Sequence, residues 1–240
     1  MAESSDLIIT CVKDADAVKE VLFGNDGITS GKYTEISVAD MSTINPTSAQ
    51  EISKKLHTMK IKSLEIPVMG GPNVAIDGGL VLMASGDKEL FETHQKIFKT
   101  IANKIFFLGE SGSAHTIKLA MNMQISLLAL SLSEGIILMK KAGIEPEKFL
   151  EILNSTYFGT GMSEKKAYKM IKNEYEPTFT LKNLKKDLDI IVKTAKDFDA
   201  VLPITERANK IYDDALAAGF GELDYTGVLA YIEKISRTKD

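Results

Sequence analysis

Between Asp6 and Leu108 the chain alternates short apolar runs with stretches of helical period, and few folds accommodate that alternation. Residues 6–12 (DLIITCV), 35–41, 63–69, 80–85 and 104–108 read as strands. The first is a continuous apolar run, as expected of a strand covered on both faces. Residues 14–23, 46–59 and 87–101 have helical spacing, with Asn45 placed to cap the helix that Pro46 opens. Glycine-containing turns fall at 24–27, 70–72 and 77–79. Strands and helices that take turns in this way predict an α/β fold around a mostly parallel sheet.

From Gly112 onward only helical patterns remain. They cover 112–142, ending at Gly143; 146–154, opened by Pro146; a segment after Ser163, capped by that serine; 181–198, after Pro177-Thr178; Pro203 to Gly219; and a last one from Tyr225. In the first of these, Ile117, Met121, Ile125, Leu128, Leu132, Ile136 and Met139 recur every three or four residues, so that stripe is expected to face a core. Unbroken, this helix would be roughly 45 Å long. That length suits a link between two domains that also offers an apolar face to a second subunit. The expected division is therefore 1–108, α/β, and 109–240, all-helical.

The charge of –4, with acidic and basic residues interspersed, argues against a nucleic-acid surface. The single cysteine, Cys11, excludes an intrachain disulfide and fits a reducing compartment. Its place in an apolar run predicts a small buried hydrophobe. Residues 1–5 lack the basic start of a signal peptide, and no apolar stretch nears the length of a membrane span. The expected location is the cytoplasm.

Four patches carry residues suited to chemistry. In 40–46 (DMSTINP), Ser42 and Thr43 follow a strand and precede a helix. Ligands of open α/β sheets bind at that edge, although a Ser–Thr pair there also serves as an ordinary cap. In 67–72 (PVMGGP), paired glycines after a strand can turn backbone N–H groups toward a carboxylate or phosphate, or form a plain turn. In 112–122 (GSAHTIKLAMN), a small-residue turn opens a helix on which Lys118 and Asn122, four apart, share a face. A lysine and an amide so placed can protonate and orient a carbonyl oxygen. The fourth patch is Phe179 with Lys186-Asp187, on or before a lysine-rich helix.

In this order the patches resemble the β-hydroxyacid dehydrogenase family, which includes 3-hydroxyisobutyrate dehydrogenase, tartronate semialdehyde reductase and glyoxylate/succinic semialdehyde reductase. The family's DxSTxxP is matched by Asp40, Ser42, Thr43 and Pro46; its APVSGG by residues 66–71; its GxGxxxKxxNN by residues 112–122; and its KDL by Lys186-Asp187-Leu188. The resemblance implies a partial Rossmann domain followed by an all-helical domain, an NAD or NADP cofactor, no metal, a small hydroxy-acid or semialdehyde substrate and a homodimer. It implies that Lys118 is the general acid/base and that Ser42, Thr43, Gly70, Gly71 and Asn122 bind substrate. It gives Val12, Lys13, Thr43, Phe179, Lys186 and Asp187 to the cofactor.

Met69 stands where the family has a carboxylate-binding serine, Met121 where it has the first asparagine of the NN pair, and Ala114 where it has a glycine. A thioether cannot donate a hydrogen bond, so a less acidic substrate, or one held mainly by backbone, is expected. No GxGxxG occurs in the sequence. That glycine turn seats the pyrophosphate on a helix N-terminus, so the dinucleotide site of this chain by itself is expected to be incomplete and its dehydrogenase activity impaired. The alternative is a non-catalytic dimerising or regulatory protein on the same fold.

Overall fold

A computed structural model describes residues 4–31 and 36–237. The chain divides into two compact units after Met121.

The first unit contains β1 (Leu7–Thr10), α1 (Ala15–Phe23), β2 (Ser37–Asp40), α2 (Pro46–Thr58), β3 (Lys62–Glu65), β4 (Val68–Met69), α3 (Pro72–Ile76), β5 (Leu80–Gly86), α4 (Lys88–Thr93), α5 (Gln95–Ile101) and β6 (Ala102–Phe107). β1, β2 and β3 run parallel in sequence order, and β5 and β6 are also parallel. β5 joins the rest by antiparallel pairing with β3 and β4. The mostly parallel sheet is the one the sequence predicts. The third predicted strand is instead two: Pro67 has no N–H to give a ladder, and beyond it β4 continues the antiparallel pairing with β5 in the register that the end of β3 begins. Likewise 87–101 is two short helices, divided at His94. Glu35, the predicted start of the second strand, lies outside the described residues, as do residues 1–3 of the region read for a leader.

Alternate residues of the strands feed two cores. Val38 and Ile36 pack with Val18 and Leu22 of α1 and with Ala49, Ile52 and Leu56 of α2. Ala39, Leu64, Leu82 and Ala84 pack with Leu90, Phe91 and Phe98 of α4 and α5. A fully buried leucine or isoleucine stabilises by about 1.5–3 kcal/mol, so these two layers hold the helices on the sheet. The caps are local. Asp14 accepts the N–H of Ala17 ahead of α1, and Asn45 accepts those of Thr47 and Ser48 ahead of α2.

α6 (Ser113–Lys141) begins in the first unit and continues into the second. The second unit adds α7 (Pro146–Asn154), α8 (Gly161–Lys165), α9 (Ala167–Ile171), α10 (Leu181–Asp197), α11 (Pro203–Ala215) and α12 (Val228–Arg237). Leu132, Ile136, Leu150, Ala167, Met170 and Leu229 form one core cluster there. Thr160, not Ser163, caps α8; Ser163 is the partner that reaches back in a reciprocal capping pair. α11 ends at Ala215 and passes into a π-helical turn that closes where Gly219 takes φ 94°.

The expected α6 stripe is buried in its C-terminal half, at Leu132 and Ile136, but not at its start: Ile117 and Met121 are exposed, and His115, Leu119, Asn122 and Ser126 are buried instead. The helix is apolar around most of its girth, so spacing alone does not fix which face turns inward. At 29 residues α6 also reaches the length and apolarity of a membrane span, contrary to the sequence reading, although a core helix has the same two properties. Cys11 is exposed rather than buried, because the chain leaves β1 at Thr10.

Candidate active site

The parallel strands β1, β2 and β3 deliver polar side chains to their carboxyl ends, and β5, antiparallel to β3, extends the row. Thr10 pairs in register with Asp40, Asp40 with Glu65, and Glu65 with Ser85. All four are buried. Asp40 Oδ1 accepts the hydroxyls of Thr10 and Ser42, each at 2.7 Å, and the Ser42 N–H at 3.3 Å. Burial pushes the Asp40 carboxyl above the usual carboxylate range against these hydrogen bonds. Desolvation around the sulfur of the otherwise exposed Cys11, reinforced by Asp40, pushes its thiol up and disfavours the thiolate.

The Ser42 hydroxyl also accepts the Val12 N–H at 2.9 Å. One serine therefore ties the loop after β1 to the loop after β2. Beyond this tie, Thr43 is half-buried and the Lys13 side chain is exposed, pairing with Asp14 at 3.5 Å. This edge therefore offers a lysine ammonium and the Thr43 hydroxyl beside the tied loops.

The start of α6 is held from below by Glu65. Its carboxylate accepts the Gly112 N–H on both oxygens, at 2.7 and 2.9 Å, and the hydroxyls of Ser111 and Ser85. Ser85 Oγ in turn accepts the Ala114 N–H at 3.1 Å. Gly112 has φ +96°, and a Cβ there would come within 2.7 Å of the Gln50 amide nitrogen, which donates to the Ser111 carbonyl. Glycine is required at that turn. A carboxylate facing the first N–H groups of a helix also suits its dipole. Burial pushes the Glu65 carboxyl up, its hydrogen bonds pull it down, and nearby Asp40 adds to the rise.

His115 lies in the first turn of α6, 0 % exposed, with Nε2 4.0 Å from Glu65. Burial drives its pKa down to about 3. The ring is therefore neutral, and the approach to Glu65 is not an ion pair. Asp40, Glu65, Ser85, Ser111 and His115 share the lining of a cavity of about 20 Å³.

Lys118, half-buried one turn further along α6, donates from Nζ to the Met69 thioether at 3.1 Å. Met69 ends β4, and Gly70 follows with φ +126°, where a Cβ would come within 2.6 Å of Leu80. Gly70 itself is exposed and Gly71 half-buried. In the first unit, then, the structure brings Lys118 against the Met69-Gly70 turn, and ties Ser42 to Val12.

In the second unit, Asn122 Nδ2 donates to Asp187 Oδ2 at 2.6 Å, and both side chains are buried. A carboxylate only accepts, so Asp187 fixes which way the Asn122 amide points. Lys186 lies 2.9 Å from Asp187 Oδ1. Phe179 is half-buried, its ring 6.2 Å from that of Tyr225, and its carbonyl accepts the Tyr225 N–H. The segment before it is anchored by buried Asp224, which accepts from Lys166, Thr178 and Thr226. Burial raises the Asp224 pKa, but the Lys166 ammonium and these hydrogen bonds prevail and hold it below the usual range.

Glu65, His115 and Asp224 escaped the sequence reading. An acidic residue closing an apolar strand just before Ile66-Pro67 is a usable signal for Glu65. Nothing in the spacing marks His115 or Asp224, whose partners are distant in sequence.

Residues 1–109 match the family model described as the NAD-binding domain of 6-phosphogluconate dehydrogenase. Residues 112–232 match that described as the NAD-binding domain of NADP-dependent 3-hydroxyisobutyrate dehydrogenase. The cytokine-like nuclear factor N-PAC of Aedes aegypti is 30% identical over 94% of this chain, which spans only 40% of that protein. The 2-hydroxy-3-oxopropionate reductase of Escherichia coli is 28% identical over 100% of this chain and 82% of its own length. The crystal structure of 3-hydroxyisobutyrate dehydrogenase from Salmonella typhimurium superposes with a TM-score of 0.86 at 26% identity, covering 96% of this chain and 80% of that one. Two successive domain matches, in the order in which the strand-edge and helix residues stand, identify this chain as a member of the 3-hydroxyisobutyrate dehydrogenase family of NAD(P)-dependent β-hydroxyacid dehydrogenases.

Proposed function

We propose that this chain carries the substrate-side machinery of an NAD(P)-dependent dehydrogenase that interconverts a small hydroxy acid and its semialdehyde or keto form. The observation that carries this reading is the seating of Lys118: half-buried, on the helix that Glu65 anchors, beside the Met69-Gly70 turn, with Asn122 one turn along. Lys118 gives a proton to the substrate's carbonyl oxygen in reduction and takes it from the hydroxyl in oxidation. Asn122, its orientation set by Asp187, holds the same oxygen. Gly70 and Gly71 offer backbone to the substrate's acidic end. Met69 gives the Lys118 ammonium a soft, apolar neighbour where a hydroxyl would have supplied another donor. The nicotinamide dinucleotide, when bound, supplies or accepts the hydride. Val12, Lys13 and Thr43 are the first-unit residues that would hold it; the family resemblance also gives Phe179, Lys186 and Asp187 to the cofactor, and these three belong to the second unit.

The test is calorimetric titration with NADPH and NADH, followed by turnover of glyoxylate, succinic semialdehyde and tartronate semialdehyde. Lys118→Ala is expected to lower kcat by about 10²–10⁴-fold, the usual weight of a general acid, while leaving cofactor binding intact. A Lys118→Ala protein that turns over like the wild type refutes the assignment.

A second reading has one observation in its favour. The aligned N-PAC relative, similar over 94% of the chain, does not bear an enzyme's name. On that reading the fold serves a dimerising or regulatory role, no cofactor binds, and Lys118→Ala changes no measurable property.

A further inference from the structure

We infer that Glu65 is a positioning residue for Lys118, acting through the first turn of α6. The inference rests on the role proposed for Lys118.

Glu65 and Met69 belong to one short stretch of chain on either side of Pro67. Each holds α6 at a different height. Glu65 takes the Gly112 N–H on both carboxylate oxygens and the Ser111 hydroxyl, and Met69 takes the Lys118 ammonium at 3.1 Å. Gly112 and Lys118 are six residues apart, a rise of about 9 Å along a helix. The stretch 65–69 is thus a two-point clamp on the helical segment that carries the acid/base group. An α-helix transmits a shift of its first turn nearly undiminished over such a distance, so loss of the Glu65 anchor moves Lys118 against the turn it serves. Three further bonds brace the anchor: Ser85 donates to Glu65 while accepting from Ala114, and Gln50 donates to the Ser111 carbonyl. Glu65 is 5 % exposed and sits in the floor of the sheet edge, so it acts on Lys118 and not on substrate.

The experiment has a readout that does not depend on turnover. Lysines of the full chain are reductively methylated with carbon-13, and the Lys118 resonance is assigned by its loss in Lys118→Arg. Its shift, line width and pH titration are then compared in wild type, Glu65→Ala, Glu65→Gln and Ser111→Ala. Alongside, kcat and KM are measured with NADPH and glyoxylate. Glu65→Ala is expected to move the Lys118 resonance toward the shift and line width of a solvent-exposed lysine. It should also cut kcat by at least about tenfold, with KM for NADPH held within about twofold. Glu65→Gln, which keeps an acceptor for the Gly112 N–H, should recover most of both. A folded Glu65→Ala protein with the wild-type Lys118 resonance overturns the inference. If that variant does not fold, wild-type Lys118 signals in both Glu65→Gln and Ser111→Ala overturn it instead. Failure of the underlying reading looks different: the Lys118 resonance responds to Glu65, but Lys118→Ala leaves turnover unchanged.

Discussion

Replacing His115 by leucine tests the electrostatics under the site. The ring is fully buried, and neither nitrogen makes a hydrogen bond among the described residues. Its pKa falls from 6.5 to about 3 on burial. Because the folded value is the lower one, the unfolded chain takes up the proton first as pH drops. Stability is therefore full above pH 6.5 and is lost as pH falls toward 3. Each unit of this window costs about 1.4 kcal/mol, so the loss between pH 7 and pH 4 is about 3 kcal/mol. Asp40 and Glu65 act oppositely. Their raised values add stability in acid that is lost as pH rises through them; both proteins carry these carboxyls, so only a change that the leucine makes at Glu65, 4.0 Å from the ring, enters the difference. At pH 7 the leucine variant should match or exceed the wild type, since it removes two buried polar atoms whose unsatisfied burial costs about 1–3 kcal/mol. Urea denaturation of both proteins at pH 7, 5.5 and 4 measures the gap. It should widen in favour of His115→Leu by about 3 kcal/mol at pH 4. A gap constant to within about 0.5 kcal/mol would refute the burial argument.

The remaining predictions concern the two supports of the site. Gly112→Ala places a Cβ at φ +96° within 2.7 Å of the Gln50 amide; it should destabilise by about 1–3 kcal/mol, and an unchanged urea midpoint would show that the turn relaxes freely. Asp187→Ala strips the buried acceptor from Asn122 and the charge beside Lys186. It should lower stability by about 1–3 kcal/mol and reduce kcat, and wild-type values for both would mean that Asn122 is oriented by something else.

Glu65 illustrates why the residues under the site were harder to read than those in it. Ser42, Thr43, Gly70, Gly71, Lys118 and Asn122 lie in short stretches whose order along the chain is itself informative. Glu65 draws its meaning from Gly112, His115 from a cavity, and Asp224 from Lys166 and Thr178. Each of these partners is separated by tens of residues and meets the other only after folding. The α6 stripe shows the same limit within one helix, where periodicity proposed Ile117 and Met121 and burial selected His115 and Asn122.

Local chemistry was settled by the sequence. Asn45 before Pro46 opens α2, alternation of apolar runs and helical segments builds the parallel sheet, and glycines mark the turns where Gly70 and Gly112 take positive φ. These depend on interactions within a few residues, where side-chain shape and backbone freedom act directly. Tertiary structure alone decided the phase of α6, the break of the third strand at Pro67, and the row Thr10, Asp40, Glu65 and Ser85 across four strands. Those features depend on register and close packing. One rung of shift in a ladder, or a fraction of a turn in a helix, would bury a different set of side chains, and only the summed burial of the whole unit selects among them.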